Sequence, residues 1–158
     1  MTNLDNKYAD GFPFSREGED FKQGLSLMQK VLGDEEAAHI ESLLDNPLFG
    51  DELGYVFSKT WGALYAREGL ELKERALILM GTDLALGREG PLKDHMKVAL
   101  HAGLTPKQII EALFQTVFYI GAPALVLGLK AANEVLGPHM EEMLANETQK
   151  NSKKEESK

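Results

Sequence analysis

Residues 71–87 read ELKERALILMGTDLALG, and from Ala76 onward this segment is apolar on nearly every side of a helix. Such a helix is expected to be buried almost all round. No segment of the chain alternates between apolar and polar residues as a half-buried strand does. The sequence therefore predicts an all-α protein with a central helix from Glu71 to Gly87.

Helical patterns continue on both sides of this segment. We predict further helices at residues 18–32, 34–44, 47–65, 91–103, 106–119 and 124–136. Thr105, Pro106 and Gln108 form a strong start signal, with a cap, a first helical residue and a third-position partner. Gly137 and Pro138 are expected to close the last helix.

The domain prediction rests on where these patterns begin and end. The start of the chain has no helical period, and the end has no apolar residue after Ala145. No repeat and no linker divides the helices into two cores. We therefore predict an N-terminal arm at residues 1–17, one helical domain at 18–145 and a disordered tail at 146–158.

The composition argues against several classes of function. The chain has 158 residues, a net charge of −8 and no cysteine. An acidic chain lacks the basic face that nucleic acid and anionic membranes require. A chain without cysteine has no disulfide, thiolate metal site or thiol chemistry. With no membrane-length apolar run and a polar N-terminus, we expect a soluble cytoplasmic protein without nucleic-acid or membrane partners.

Two polar side chains fall on helix faces that should be buried. Asp83 shares a face with Ala76 and Leu79, and a buried carboxylate needs a cation, several donors or a proton. His95 lies at the edge of the next helix's apolar stripe, whereas His101 faces the other way. A protected imidazole can act as an acid, a base or a donor. Structural alternatives remain, namely a carboxylate bonded to a neighbouring helix end and a core histidine.

Cations gather beside the same central helix. Arg67, Arg75 and Arg88 are three of the four arginines in the chain. Guanidinium groups bind carboxylates in a fork, so these three are candidates for holding an anionic substrate. Each could equally be an ordinary surface residue. No metal is expected, because His95 and His101 are six residues apart and face differently.

Motifs around these residues resemble the carboxymuconolactone decarboxylase family. The resemblance covers roughly residues 20–137. It rests on Trp61-Gly62, residues 67–70, residues 73–77, Leu86-Gly87-Arg88, residues 95–100, residues 102–105, residues 109–113 and residues 131–136. The resemblance implies a helical bundle of the alkylhydroperoxidase D-like type. It also implies a homo-oligomer, with a hexamer as the leading expectation and a trimer as the next.

The sister branch, alkylhydroperoxidase D, uses a CxxC pair followed by a histidine, with a glutamate on the preceding helix. That histidine corresponds to His95, but the two cysteines correspond to Arg88 and Pro91 and the glutamate to Ala76. Thiol peroxidase chemistry is therefore excluded. The chain resembles the decarboxylase branch, which keeps the histidine without the cysteines. That branch generally has an apolar residue where this chain has Asp83.

The resemblance implies a cofactor-independent decarboxylase of aromatic-compound catabolism, acting on a lactone with two carboxylates. Loss of carbon dioxide pushes electrons onto the lactone carbonyl oxygen, so we expect no cofactor. His95 would deliver a proton or contact the oxyanion, and Asp83 would orient the imidazole. Arg67, Arg75 and Arg88 would hold the carboxylates. Two alternatives stay open: another cofactor-free enzyme for a lactone or enolisable acid, such as an isomerase or tautomerase, and a non-catalytic small-molecule binder.

Overall fold

The structure is a computed structural model that describes the backbone of residues 14–155 and the side chains of residues 14–140. Over residues 14–155 every regular element is a helix and there is no strand, so the all-α prediction is confirmed. The chain forms two compact units, which meet in sequence between Leu70 and Glu71. The single domain over residues 18–145 stays a prediction, and most of the predicted arm lies outside the described residues. None of the described helices has the length and apolar character needed to cross a membrane.

The first unit contains α1 (Glu19–Leu32), α2 (Asp34–Leu43) and α3 (Gly50–Phe57), and α3 continues as a π-helix (Ser58–Leu64). The predicted start of α3 at Pro47 is wrong. Asn46 instead organises a turn, in which its side-chain oxygen accepts a hydrogen bond from the Leu48 amide at 2.8 Å.

The π-helix packs closely against α1, and this contact requires small residues. A Cβ added at Gly62 would overlap the carbonyl of Asp20, and one added at Gly24 would lie 2.8 Å from the Gly62 nitrogen. The core beside this contact contains the buried side chains of Phe21, Met28, Ala37, Leu44 and Phe57. Sequence periodicity did not indicate the π-helix, because its extra residue per turn depends on this packing.

The second unit contains α4 (Leu72–Leu86), α5 (Glu89–His101), α6 (Pro106–Gln115), α7 (Val117–Ile120) and α8 (Ala122–Glu155). The predicted central helix is confirmed, with a capping box at its start and Gly87 in the left-handed conformation (φ 66°) at its end. The predicted capping box at Thr105 and Gln108 is also present. Two boundaries differ from prediction. Pro91 lies in the first turn of α5 rather than at its first position, and α6 ends at Gln115 rather than at residue 119.

The last helix is longer than the sequence indicated. The prediction that Gly137 and Pro138 end it is wrong, because α8 continues through Pro138 to Glu155. Residues 139–155 are rich in Glu, Met, Leu, Ala and Lys, which favour helices, and extending an existing helix needs no new nucleus. The backbone of residues 146–155 is therefore helical where the sequence predicted no fixed structure. Whether that segment is mobile in solution stays a prediction.

Burial of α4 also differs from expectation. Ala76, Met80 and Leu84 are completely buried, but Ile78 is 56% and Leu86 is 58% exposed. The prediction of burial almost all round is therefore wrong for the single chain. Within the second unit α4 packs against α5, α6 and α8, and its outward face is left open.

Candidate functional site

A direct hydrogen bond joins Asp83 on α4 to His95 on α5. Asp83 Oδ2 and His95 Nδ1 are 2.6 Å apart, and the two side chains are 7% and 15% exposed. The predicted contact between these residues is thus present, in place of the alternative in which Asp83 bonds to backbone amides. The predicted surface position of His101 is confirmed as well.

A short turn between the two helices brings the pair together. The left-handed Gly87 ends α4, and the Arg88 amide donates to the Asp83 carbonyl at 2.9 Å. Asp83 lies four residues before Gly87 and His95 six residues after Glu89, about 6 and 9 Å along their helices. The two side chains therefore stand at similar heights on neighbouring helices.

Fully buried apolar side chains flank the pair along both helices. Met80 and Leu84 on α4, and Leu92, Met96 and Ala99 on α5, are all 0% exposed. An apolar environment strengthens a hydrogen bond between charged or polar partners. With side chains only 7% and 15% exposed, the Asp83 carboxylate and the His95 imidazole have little freedom to turn, so the contact is held in one geometry.

This contact determines which histidine nitrogen can react. A carboxylate accepts hydrogen bonds, so Nδ1 carries the proton that is donated to Asp83. The other nitrogen, Nε2, makes no hydrogen bond within residues 14–140. In the imidazolium form Nε2 carries a second proton, which it can donate to an oxygen or a carbon of a bound molecule. The arrangement can therefore hold and transfer one proton at a defined atom.

The three predicted arginines occupy different environments. Arg75 is half-buried on α4, eight residues before Asp83, which is about 12 Å along the helix. Arg88 is exposed at the N-cap of α5. Arg67 is exposed and belongs to the first unit. The substrate-binding role of all three stays a prediction.

A charge cluster that the sequence analysis missed lies on the far side of α5. Lys93 Nζ is 2.8 Å from Glu89 and 2.6 Å from Glu134 on α8. The hydrogen bonds that Lys93 donates to Glu134 and Glu89 raise the pKa of Lys93, and the hydrogen bond accepted from Lys93 holds the pKa of Glu89 below its ordinary value. The i,i+4 spacing of Glu89 and Lys93 is visible in the sequence, but the third partner depends on helix packing.

The part of the chain whose side chains are described contains no cluster of metal-binding side chains. No group of three or more histidine, aspartate or glutamate side chains there could hold an ion. The absence of a metal site stays a prediction for the whole chain.

The part of the chain that contains Asp83 and His95 is similar to known proteins. Residues 51–134, which include Asp83 and His95, match the carboxymuconolactone decarboxylase family. A 4-carboxymuconolactone decarboxylase of Acinetobacter baylyi is 31% identical over 117 residues, covering 73% of this chain and 85% of the relative. A nitrosuccinic acid decarboxylase of Metarhizium robertsii is 28% identical over 124 residues, covering 73% and 83%. An uncharacterized 15.0 kDa protein of Paracoccus denitrificans is 34% identical over 84 residues, covering 52% and 63%.

Proposed function

The chain belongs to the carboxymuconolactone decarboxylase family, and from this membership we propose that it is a cofactor-independent carboxy-lyase acting on a carboxylated lactone of the carboxymuconolactone type. The observation that carries the proposal is the buried Asp83–His95 contact at 2.6 Å. It supplies the one chemical step that such a substrate cannot perform alone, the delivery of a proton at a fixed position.

The names of two relatives point to a common chemistry. 4-Carboxymuconolactone and nitrosuccinic acid each carry a carboxylate on a carbon whose electrons can flow into an acceptor on the same molecule. The acceptor is the lactone carbonyl, reached through the ring double bond, in one and the nitro group in the other. Each molecule also carries a second carboxylate. We therefore propose a substrate with two carboxylates and its own electron acceptor.

The reaction balances without an oxidant or a cofactor. The bond between the carboxylate and its carbon breaks, carbon dioxide leaves, and the electron pair moves onto the acceptor oxygen. That anion then takes up one proton at carbon. The protein must bind two carboxylates, stabilise the anion and provide the proton.

Each proposed residue has one of these tasks. His95 donates from Nε2, either to the acceptor oxygen or to the carbon. Asp83 accepts the Nδ1 proton, holds the ring in place and compensates the charge of the imidazolium. Arg67, Arg75 and Arg88 are proposed to hold the carboxylates, since guanidinium groups match them in charge and geometry.

A second candidate is another cofactor-free reaction on a lactone or enolisable acid. It is favoured by Asp83 itself, because the decarboxylase branch that this sequence resembles generally has an apolar residue at that position. Both candidate reactions use His95, and identifying the product distinguishes between them. An isomerase or tautomerase retains the carboxylate that a decarboxylase releases.

We also propose that the protein works in the cytoplasm as a homo-oligomer, with a hexamer as the first expectation and a trimer as the second. The open apolar face of α4, with Ile78 at 56% and Leu86 at 58% exposure, supports association. The partner in catalysis is a small anionic substrate.

The test compares two acids and two histidines. Purified protein is incubated with 4-carboxymuconolactone and, separately, with nitrosuccinic acid, and released carbon dioxide is measured. We expect release from at least one acid, and a loss of about 100-fold or more for His95→Gln, the usual range for removing a general acid. His101→Gln is the matched control on the same helix and should keep the wild-type rate, because His101 is exposed.

Two outcomes would count against the proposal. If neither acid releases carbon dioxide, the proposed substrate class is wrong. If His95→Gln keeps the wild-type rate while circular dichroism shows an unchanged helix content, His95 does not deliver the proton.

A further inference from the structure

The charge cluster of Lys93, Glu89 and Glu134 joins α5 to α8. Lys93 Nζ lies 2.6 Å from Glu134 on α8 and 2.8 Å from Glu89 on α5 itself. The Lys93 side chain is 26% exposed, so it is partly shielded from solvent and salt. A single exposed ion pair contributes little, but a cation between two carboxylates forms a network with a defined geometry.

Lys93 lies two residues before His95 on the same helix. Successive residues of a helix are about 100° apart, so Lys93 and His95 leave α5 about 200° apart, on nearly opposite sides, and differ by about 3 Å in height. His95 contacts Asp83 on α4, and Lys93 contacts Glu134 on α8. One turn of α5 is therefore bound on one side to α4 and on the other side to α8.

The contact between His95 and Asp83 is sensitive to rotation of α5. The end of a side chain lies about 6 Å from the axis of its helix, so a rotation of about 20° moves it by about 2 Å. His95 Nδ1 is 2.6 Å from Asp83 Oδ2, and hydrogen bonds between nitrogen and oxygen reach only to about 3.2 Å. A small rotation of α5 would thus break the contact without changing the helix content.

Apolar packing on the α8 side does not fix this rotation as sharply as the ionic contacts do. Ala131, three residues before Glu134 on the same side of α8, is fully buried. An alanine offers a single methyl group, and apolar contacts have no preferred direction. The ammonium group of Lys93 does have one, because each of its hydrogen bonds requires an N–H bond that points at a carboxylate oxygen.

We propose that Lys93 is a positioning residue for the proton-transferring site: by binding Glu134 and Glu89 it fixes the rotation of α5 at which His95 Nδ1 meets Asp83. Lys93 acts on the reaction only through the histidine. Its effect on catalysis rests on the proposed function of His95, whereas its effect on the contact with Asp83 does not. The two effects are therefore measured separately.

Nuclear magnetic resonance of protein with isotope-labelled histidine measures the contact without a substrate. A proton between Nδ1 and a carboxylate is strongly deshielded, and it exchanges slowly with water because the Asp83 and His95 side chains are only 7% and 15% exposed. The signal that disappears in His95→Gln is that of His95. We expect this signal to be lost or shifted upfield in Lys93→Met, which keeps the side-chain stem and removes the charge. Lys97→Met is the matched control and should leave the signal unchanged, since Lys97 pairs with Asp94 within α5 at 3.3 Å.

Exchanging the charges distinguishes a lost ion pair from a damaged helix. Lys93→Glu alone places three carboxylates together and should remove the signal. Lys93→Glu combined with Glu134→Lys again has one ammonium group beside two carboxylates, so the signal should return. Circular dichroism should show the same helix content in these variants. A wild-type spectrum without a His95 Nδ1 signal, a Lys93→Met spectrum like that of the wild type, a Lys97→Met spectrum that changes as much, or a charge exchange that restores nothing would each overturn the proposal.

The kinetic test uses the acid that the wild type decarboxylates. In Lys93→Met, kcat should fall about threefold to tenfold with KM nearly unchanged, because a misaligned contact with Asp83 supports the imidazolium of the transition state less well. Asp83→Ala already lacks this contact, so adding Lys93→Met to it should cause no further loss. Losses that multiply would show that Lys93 does not act through the histidine. If neither acid is decarboxylated, the proposed function is wrong, and the resonance experiment still decides the role of Lys93.

Discussion

Replacing Asp83 with asparagine measures how far the site depends on one buried charge. Asparagine has nearly the same size, and its side-chain oxygen can still accept the hydrogen bond from His95 Nδ1. The change therefore removes the charge and keeps the contact. With Asp83 7% exposed and 2.6 Å from His95, solvent and salt screen this charge very little.

The size of the effect follows from the strength of the hydrogen bond. A hydrogen bond to a charged group contributes about 1.5–3 kcal/mol, against about 0.5–1.5 kcal/mol for a neutral pair. The difference of roughly 1.4 kcal/mol corresponds to a tenfold change in rate. We expect kcat to fall about tenfold with KM nearly unchanged, because the imidazolium is needed in the transition state.

Stability should respond much less than activity. The asparagine side chain avoids the cost of burying a carboxylate, which offsets the weaker hydrogen bond. We therefore expect the free energy of unfolding to change by less than about 1 kcal/mol. Urea unfolding measured beside the kinetics separates a local effect on the site from a general loss of structure.

A double-mutant cycle decides whether the two residues act together. Asp83→Asn, His95→Gln and the double variant are assayed with the substrate that the wild type consumes. We expect the double variant to be no slower than His95→Gln alone, because Asp83 acts through the histidine. Asp94→Asn is the control: Asp94 neighbours His95 in sequence but pairs with Lys97 at 3.3 Å. Normal kcat in Asp83→Asn, or losses that simply multiply in the double variant, would refute this reasoning.

Three further predictions concern stability. Gly62→Ala should lower the free energy of unfolding by about 1–3 kcal/mol, since the added methyl group overlaps a carbonyl of α1; Gly90→Ala, with open space at that atom, should raise it by up to about 1 kcal/mol. Urea unfolding that gives both the same sign would contradict this pair. Thr105→Ala should cost about 1 kcal/mol through loss of the cap, and Thr105→Ser should restore most of it in the same assay. Lys93→Met should lower the melting temperature at pH 7, and the difference from wild type should shrink as the pH falls below 4.5. The folded-state pKa of Glu89 is depressed below 4.5, so its contribution is present above that value and lost as Glu89 takes up a proton. A difference that is unchanged at pH 3 would show that Glu89 does not depend on Lys93.

Much of the candidate site was visible in local sequence. A helical period placed Asp83 and His95 on inward faces, and Gly87 indicated a short turn between their helices. The period of 3.6 residues fixes which side chains share a face, and a short turn places two helices side by side. The contact between the two residues could therefore be predicted, although its geometry could not.

The sequence by itself indicated the family. It also determined the helical class and the caps at Gly87 and Thr105, because these depend on hydrogen bonds and periodicity within a few neighbouring residues. Tertiary structure decided which partner each side chain found. Periodicity indicated that Asp83 is buried, but the packing of α5 against α4 selected His95 rather than a backbone amide as its partner. Likewise, Lys93 gained Glu134 only because α8 packs on α5. The burial of a side chain and the identity of its partner depend on contacts between residues that are far apart in the chain. A short stretch of sequence does not contain those contacts.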